Sequence, residues 1–105
     1  MATVELFFGR DIPGRAPLTE AEWSSFAARV VAQWFPDGFT VFDGEGQWLD
    51  QRTNRVIRES SKILFAAADP ESDLKRRIDA VVDAYRKEFH QRSVGVVTSL
   101  ACAAF

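Results

Sequence analysis

The sequence predicts an α+β domain in which two amphipathic helices cover one face of a four-stranded antiparallel sheet. Segments rich in β-branched and aromatic residues and two segments with helical apolar spacing follow one another in the order strand, helix, strand, strand, helix, strand. The chain has 105 residues, of which 47% are hydrophobic, and this supplies one core but not two. We therefore expect a single domain that spans residues 1–105.

The first strand is predicted from the alternation of side chains near the N-terminus. One of its faces carries three apolar side chains: Val4, Leu6 and Phe8. Glu5 and Phe7 then point to the face opposite the helices. Because both faces are partly apolar, we expect this strand to lie in the middle of the sheet.

A capping box marks the start of the first helix. The Thr19 hydroxyl is placed to accept from the Glu22 amide, and the Glu22 carboxylate to accept from the Thr19 amide. Leu18 and Trp23 have the spacing of a hydrophobic staple. An apolar stripe with helical spacing follows: Trp23, Phe26, Ala27, Val30, Val31 and Trp34. The sequence Pro-Asp-Gly at 36–38 ends the helix.

Two strands joined by a turn are predicted after this helix. The second strand covers residues 39–49, and we expect residues 43–46 to bulge it rather than to turn it back as an extra small hairpin. Asn54 tolerates the left-handed conformation and marks the turn at 50–55. The third strand is predicted over residues 56–67.

The second helix is predicted to begin with Asp69 as the N-cap and Pro70 at the first helical position, where a missing amide costs nothing. Its buried stripe has helical spacing: Leu74, Ile78, Val81, Val82, Tyr85 and Phe89. The last strand is predicted over residues 93–105. Right-handed crossovers then give the strand order 4-1-3-2, which is the ferredoxin-like two-layer sandwich, β-α-β-β-α-β.

Composition argues against several classes of function. A net charge of −2 and a pI near 5.3 lack the clustered positive charge that nucleic-acid binders use, so no nucleic-acid partner is expected. Cys102 is the only cysteine, which excludes an intrachain disulfide and suggests a small buried residue. Neither paired metal ligands nor a glycine-rich phosphate loop occurs, so no metal or cofactor is expected. No leader and no run of ~20 apolar residues is present, which predicts a cytoplasmic protein without a membrane partner.

The open face of the predicted sheet carries the candidate site. Alternation along the third strand places Arg58 and Lys62 on this face, beside Glu5 and Phe7 of the first strand. Two cations there would hold a small anion or a carboxylate. The competing interpretation is a cross-strand salt bridge among Glu5, Arg58 and Lys62, worth ~0.2–1 kcal/mol.

Glu59 does not fit this surface, because alternation sends its carboxylate toward the helices, where an unpaired charge is costly. Either a bulge turns Glu59 outward, or a cation such as Arg10 pairs with it. A buried Glu59 would be a candidate general base.

Short motifs spread along nearly the whole chain together resemble one family. In chain order they are ELFFGR at 5–10, Trp23, FPDG at 35–38, TV at 40–41 with Asp43, GQW at 46–48, RESSK at 58–62 and AC at 101–102. This combination resembles the bacterial domain-of-unknown-function family 3574. The resemblance implies a small bacterial protein without an established activity, with relatives that carry an export or lipoprotein leader. It also marks pattern positions without assigning them roles: Arg10, Gln47, Trp48, Arg58, Glu59 and Lys62.

The leading interpretation is a non-catalytic binding or accessory module. Its open face would take a small anionic ligand or form a homodimer, since an exposed Phe7 and its apolar neighbours need cover. The alternative is a small cofactor-free enzyme, with Glu59 or Glu5 as the base and with an anionic substrate held by three side chains: Arg58, Lys62 and Gln47. Single-stranded RNA binding on the sheet is disfavoured by the acidic balance.

Overall fold

The computed structural model of the protein describes residues 1–71 and 73–104. Within these residues the elements are β1 (Ala2–Gly9), α1 (Glu20–Phe26, Ala27–Val31 and Ala32–Trp34), β2 (Thr40–Asp50), β3 (Arg55–Ala68), α2 (Leu74–Glu88) and β4 (Gly95–Leu100). The four strands pair antiparallel in the order β2-β3-β1-β4. The predicted α+β class, element order and strand order are confirmed.

The start of α1 is fixed by the predicted capping box. The Thr19 hydroxyl accepts from the Glu22 amide at 3.1 Å, and the Thr19 amide donates to Glu22 Oε1 at 3.0 Å. Hydrogen bonds from Arg15 and from the Thr19 amide lower the pKa of Glu22 to about 2, so this carboxylate stays ionised at the helix N-terminus. Leu18 and Trp23, on either side of the cap, are both buried.

Removing the cap hydroxyl with Thr19→Ala is expected to lower the free energy of unfolding by about 1 kcal/mol, because an amide of the first turn loses its acceptor. Urea denaturation followed by circular dichroism measures this change. Ser24→Ala, at an exposed position inside the same helix, is the control and should be neutral. An equal loss in both variants would contradict the role of the cap.

The middle of α1 departs from α-helical geometry. Residues Ala27–Val31 form a π-helical stretch, after which α-helix resumes as far as Trp34. Phe26 and Val31, at the two ends of this stretch, are both fully buried. The chain then turns at Gly38, whose φ of 119° favours glycine.

Strand β2 runs without interruption, so the predicted bulge at 43–46 is wrong. The pairing of β2 with β3 is continuous from Thr40–Phe65 to Asp50–Arg55. A Cβ atom on Gly44 would lie 2.7 Å from Ile63 Cδ1. Glycine at this position therefore makes room for the neighbouring strand's side chain instead of inserting an extra residue.

The β2–β3 hairpin extends well past the rest of the sheet. Pairing between β1 and β3 ends at Gly9–Ser61, and residues 45–60 continue as a two-stranded projection that we call the arm. Asn54 closes the arm with a φ of 55°, which confirms the predicted left-handed turn residue. Most side chains on both faces of the arm are exposed, so both faces are open to further contacts.

The second helix begins later than predicted. Asp69 is not its N-cap: the helix starts at Leu74, and Asp73 precedes it in a left-handed conformation with φ of 60°. Asp69 instead accepts from the Glu71 amide at 2.9 Å, which makes a side-chain turn ahead of the helix. The Asp69 carboxylate can cap a helix or accept from the amide two residues later, and here it forms the second of these hydrogen bonds.

The C-terminal strand is shorter than predicted. It covers Gly95–Leu100 rather than residues 93–105, and Phe105 lies outside the described residues. Cys102 follows the strand and is exposed, so the expectation of a buried thiol is wrong. The small residues around it had suggested burial, but residues 95–104 are all exposed.

The core lies between the helices and the inner face of the sheet. Phe8 of β1 is its centre, with ring centroids 5.1 Å from Trp23, 6.2 Å from Phe26 and 4.7 Å from Tyr85. The Tyr85 hydroxyl donates to the Gly9 carbonyl at 2.5 Å, which ties α2 to the end of β1. Burial raises the pKa of Tyr85 to about 12.

Candidate functional site

The sheet register assigns Lys62 to the helix-covered side. Lys62 pairs directly with Phe8, whose ring is buried under the helices, so both side chains lie on that face. Because side chains alternate along a strand, Arg58 lies on the same side as Lys62. The prediction that Arg58 and Lys62 project from the open face is therefore wrong.

Lys62 is a buried cation with two carboxylate partners. Its residue is 3% exposed, and its Nζ donates to Glu20 Oε1 at 2.6 Å and to Asp43 Oδ1 at 2.5 Å. Glu20 comes from the first turn of α1, whereas Asp43 faces Lys62 across the β2–β3 pairing. The expected salt bridge of Glu5 with Lys62 is replaced by these two contacts.

Arg10 completes this cluster from the loop after β1. Its Nη1 donates to Glu20 Oε1 at 3.1 Å, and its Nε and Nη2 donate to the Leu18 carbonyl at 3.1 and 2.7 Å. The suggestion that Arg10 pairs with Glu59 is therefore wrong. The Lys62 cluster, defined as Arg10, Glu20, Asp43 and Lys62, contains two positive and two negative side chains and has no net charge at neutral pH.

The hydrogen bonds set the charge states in the Lys62 cluster. Burial alone would lower the pKa of Lys62, but the hydrogen bonds from its ammonium to Asp43 and Glu20 outweigh burial, and the pKa is raised. The same hydrogen bonds from Lys62 lower the pKa of Glu20 and of Asp43. All three groups are consequently ionised around neutral pH.

The two carboxylates remain accessible although the ammonium is not. The side chains of Glu20 and Asp43 are 65% and 72% exposed, compared with 4% for Lys62. A buried cation thus holds two anionic groups at the surface, beside the base of the arm. Such carboxylates can accept hydrogen bonds from a hydroxyl or lie against a cationic group of a ligand.

The same side of the arm carries a polar ladder, which we define as the three paired rows Asp43–Lys62, Glu45–Ser60 and Gln47–Arg58. In the middle row the Ser60 hydroxyl and Glu45 Oε1 are 2.7 Å apart and hydrogen-bonded. In the last row Gln47 and Arg58 are exposed. Within residues 1–71 and 73–104, Arg58 forms no salt bridge, so its guanidinium is available to an anion.

The remaining predicted site residues lie on the opposite, open face. Glu5 is opposite Phe65 and half-buried, and Glu59 is opposite Gly46 and exposed. The prediction that Glu59 points toward the helices is wrong, and no bulge is needed to turn it outward. Trp48, which pairs with Ile57, also lies on this face and is 52% exposed.

The predicted candidates therefore fall into two groups that cannot form one site within a single chain. The polar ladder and the Lys62 cluster hold Arg10, Gln47, Arg58 and Lys62, whereas the open face holds Glu5, Trp48 and Glu59. Sequence reasoning missed the part of Glu20, which lies between the two capping-box residues and gave no signal of its own. Asp43 was visible as a motif residue, and a continuous β2–β3 pairing would have placed it opposite Lys62.

Among residues 1–71 and 73–104, no group of three His, Cys, Asp or Glu side chains is arranged to hold a metal ion. The same residues include no helix with the length and apolar character that a bilayer crossing needs.

The fold and the polar arm define a small ferredoxin-like α+β domain. The profile of the family described as "Protein of unknown function (DUF3574)" matches residues 3–105. The chain belongs to this family, as its motifs predicted. No curated protein matches it significantly.

Two solved structures share the fold. A phage SAM lyase in complex with S-methyl-5'-thioadenosine is 18% identical, with a TM-score of 0.69 over 93% of this chain and 79% of that chain. A phage SAM lyase in the apo state is 16% identical, with a TM-score of 0.66 over 93% of this chain and 78% of that chain. At these identities the similarity concerns the fold.

Proposed function

We propose that this protein is a binding domain for a small, elongated polar molecule, which lies along the polar ladder on the helix side of the arm. The observation that carries the proposal is the Lys62 cluster, in which a buried ammonium holds the exposed carboxylates of Glu20 and Asp43 at the base of the arm. Holding two ionised carboxylates close together costs free energy because they repel each other. Such an arrangement suits a ligand whose positive charge or hydroxyl groups contact both of them.

The ladder indicates the chemical class of the ligand. Arg58 lies four residues from Lys62 on β3, which is about 13 Å along the strand. A ligand of that length would place an anionic group against Arg58 and Gln47, and a cation or hydroxyl groups against Asp43 and Glu20. The predicted anionic ligand is thus retained, but it moves from the open face to the helix side, and its partner is Arg58 rather than the neutralised Lys62.

The fold shared with the phage SAM lyase suggests probes of this class. S-adenosylmethionine carries a carboxylate at one end and a sulfonium cation and ribose hydroxyls further along, whereas S-methyl-5'-thioadenosine keeps the ribose but lacks the amino-acid end. The first compound can contact both ends of the polar ladder, and the second only the end at Asp43. The pair therefore separates the two halves of the proposed site.

Isothermal titration calorimetry with both compounds tests the proposal. Arg58→Ala is expected to weaken S-adenosylmethionine binding about tenfold and to leave S-methyl-5'-thioadenosine binding unchanged, because one charge-assisted contact is lost. Asp43→Asn should weaken both. Glu59→Ala, one residue from Arg58 but on the opposite face, is the matched control. Absence of binding at millimolar concentration, or equal effects of Arg58→Ala and Glu59→Ala, would refute the proposal.

The fold shared with the lyase favours the enzymatic alternative, but the residues that could act in it differ from those predicted from the sequence. Glu5 and Glu59 lie across the sheet from Arg58 and Lys62, so the predicted base and anion-holding residues do not meet in one chain. Glu20 and Asp43 have lowered pKa values and are weak proton acceptors. An enzyme built on this site would use them to stabilise positive charge. Chromatographic detection of S-methyl-5'-thioadenosine formed from S-adenosylmethionine would establish this alternative.

A further inference from the structure

The open face of the sheet carries an apolar strip on the body of the domain, and the strip resumes on the arm beyond the Ser61–Gly44 and Glu59–Gly46 rows. The strip is defined by Phe7, Phe42, Trp48, Ile57, Ile63, Phe65 and Val97. Phe42, Trp48 and Val97 are more than half exposed, and Phe7 and Phe65 are 37% exposed. Several exposed apolar side chains on one face of a sheet mark an interaction site.

The strip has an internal symmetry along the arm. The Ile57–Trp48 row and the Ile63–Phe42 row are equally distant from a midpoint at position 60 of β3, and each pairs an isoleucine with an aromatic ring. Close to the midpoint the two nearest open-face rows contain glycine, as Glu59–Gly46 and Ser61–Gly44. Large side chains therefore project at both ends of this part of the face, and smaller ones lie between them.

We infer that this face binds the same face of a second copy of the chain, with antiparallel strands related by a two-fold axis near position 60 of β3. In this arrangement Ile57 lies over Ile63 of the second copy, and Trp48 lies over Phe42 of the second copy. Gly44 and Gly46 face each other near the axis. Ile63 packs over Gly44, and the absence of a side chain at Gly46 lets Trp48 and Phe42 interdigitate at the ~10 Å spacing of packed sheets.

Charge complementarity identifies the occupant as a second copy. The same two-fold axis places Arg55, at the tip of the arm, over Phe65 of the second copy, whose cross-strand neighbour is Glu5. Near the axis Glu59 faces Ser61 of the second copy, whose hydroxyl can donate to its carboxylate. The Ile57–Trp48 row meets the Ile63–Phe42 row of the second copy, Arg55 meets Glu5, and Glu59 meets Ser61. This is the self-complementarity that a two-fold interface requires.

This inference does not rest on the proposed ligand. The polar ladder lies on the other face of the arm, so the interface leaves it accessible, and an Arg58 variant should keep the wild-type association constant. Failure of the interface and failure of ligand binding are therefore distinguishable.

Site-specific crosslinking tests the register. In a Cys102→Ser background, Ile57→Cys and Ile63→Cys proteins are mixed and treated with a short bis-maleimide. The mixture should give at least tenfold more crosslinked dimer than either variant alone, because like positions lie about 20 Å apart along the strands. Val56→Cys mixed with Ile63→Cys is the control, since Val56 faces the helix side. Crosslinking of the control as strong as that of Ile57→Cys, or dominant self-crosslinking, would overturn the register.

Charge exchange tests the same interface without new cysteines. Arg55→Glu should raise the dimer dissociation constant about tenfold in analytical ultracentrifugation, because two equivalent contacts become repulsive. Adding Glu5→Arg to Arg55→Glu should restore the wild-type value, whereas Arg52→Glu in the adjacent turn should have little effect. A monomer at all concentrations up to the high micromolar range, or no response to Arg55→Glu, would overturn the inference.

Discussion

Replacement of Phe8 by alanine is expected to lower the free energy of unfolding by about 3–5 kcal/mol, the range for truncating a fully buried aromatic side chain. Phe8 is fully buried in the middle of the central strand, and its ring contacts Trp23, Phe26 and Tyr85. Truncation removes the buried surface of the ring and leaves a cavity that a strand held on both edges cannot close. Urea denaturation at fixed protein concentration measures the loss.

Phe7→Ala is the matched control for this experiment. It removes the same side chain one residue earlier, but Phe7 points to the open face and is 37% exposed. Its truncation should cost less than about 1.5 kcal/mol in dilute protein. Dimer formation would add a concentration-dependent contribution to the free energy of unfolding. Both variants are therefore compared at protein concentrations below the dimer dissociation constant. Equal losses would show that the two faces of β1 are not packed as described.

The second large effect is expected at Lys62. Lys62→Ala should lower the free energy of unfolding by about 2–4 kcal/mol at neutral pH, because it removes a buried aliphatic stem and both hydrogen bonds of the ammonium. Lys62→Met keeps the stem and removes the charge, so it should recover part of the loss. The comparison separates packing of the stem from the ion pairs.

The pH dependence identifies the contribution of the ion pairs. Folding lowers the pKa of Glu20 and Asp43, so their contribution to stability is complete above their unfolded pKa values and is lost as the pH falls through the folded values. Folding raises the pKa of Lys62, so its contribution holds below the unfolded value and is lost as the pH rises through the folded one. The free energies of unfolding of wild type and Lys62→Met at pH 3, at pH 7 and above pH 10 measure the acid and the alkaline change in stability.

The variant should lose the alkaline response and most of the acid response, since only Arg10 remains to lower the pKa of the two carboxylates. Its stability should therefore change less than that of wild type between neutral and acidic pH. Parallel pH profiles for wild type and Lys62→Met would contradict the Lys62 cluster, whatever the difference between them at pH 7.

Much of the fold could be predicted because local signals and burial agree. In β1, Val4, Leu6 and Phe8 alternate with residues that are less buried, which gives one consistent inner face. The Thr19 cap and the left-handed Asn54 turn are short-range features whose residues determine the backbone directly. The strand order then follows from the handedness of the crossovers.

The candidate site could not be predicted because β3 is ambiguous. Apolar residues occupy both faces of this strand, with Ile63 and Phe65 on one face and Leu64 and Ala66 on the other. A one-residue choice of face reverses every side chain, and the sequence-based choice placed Arg58 and Lys62 on the open face. The small Ala66 faces inward because it fits beneath the helices, and Lys62 follows it to the inner side.

The expected bulge in β2 failed for a related reason. Glycines within a strand often mark an inserted residue, but the same residue type serves where a neighbouring side chain lies over the backbone. Ile63 requires this space at Gly44. A single sequence does not distinguish the two uses, and only the unbroken pairing shows that Asp43 faces Lys62.

The π-helical stretch in α1 sets the rotation of everything that follows it in the helix. In a regular α-helix, residues five apart differ by about 140° in direction, so Phe26 and Val31 would not face the same side. The wider turn brings both into the core, where each is fully buried. The helix thus holds one residue more than its length requires, and the direction in which Trp34 leaves it, and from which β2 starts, depends on that extra residue.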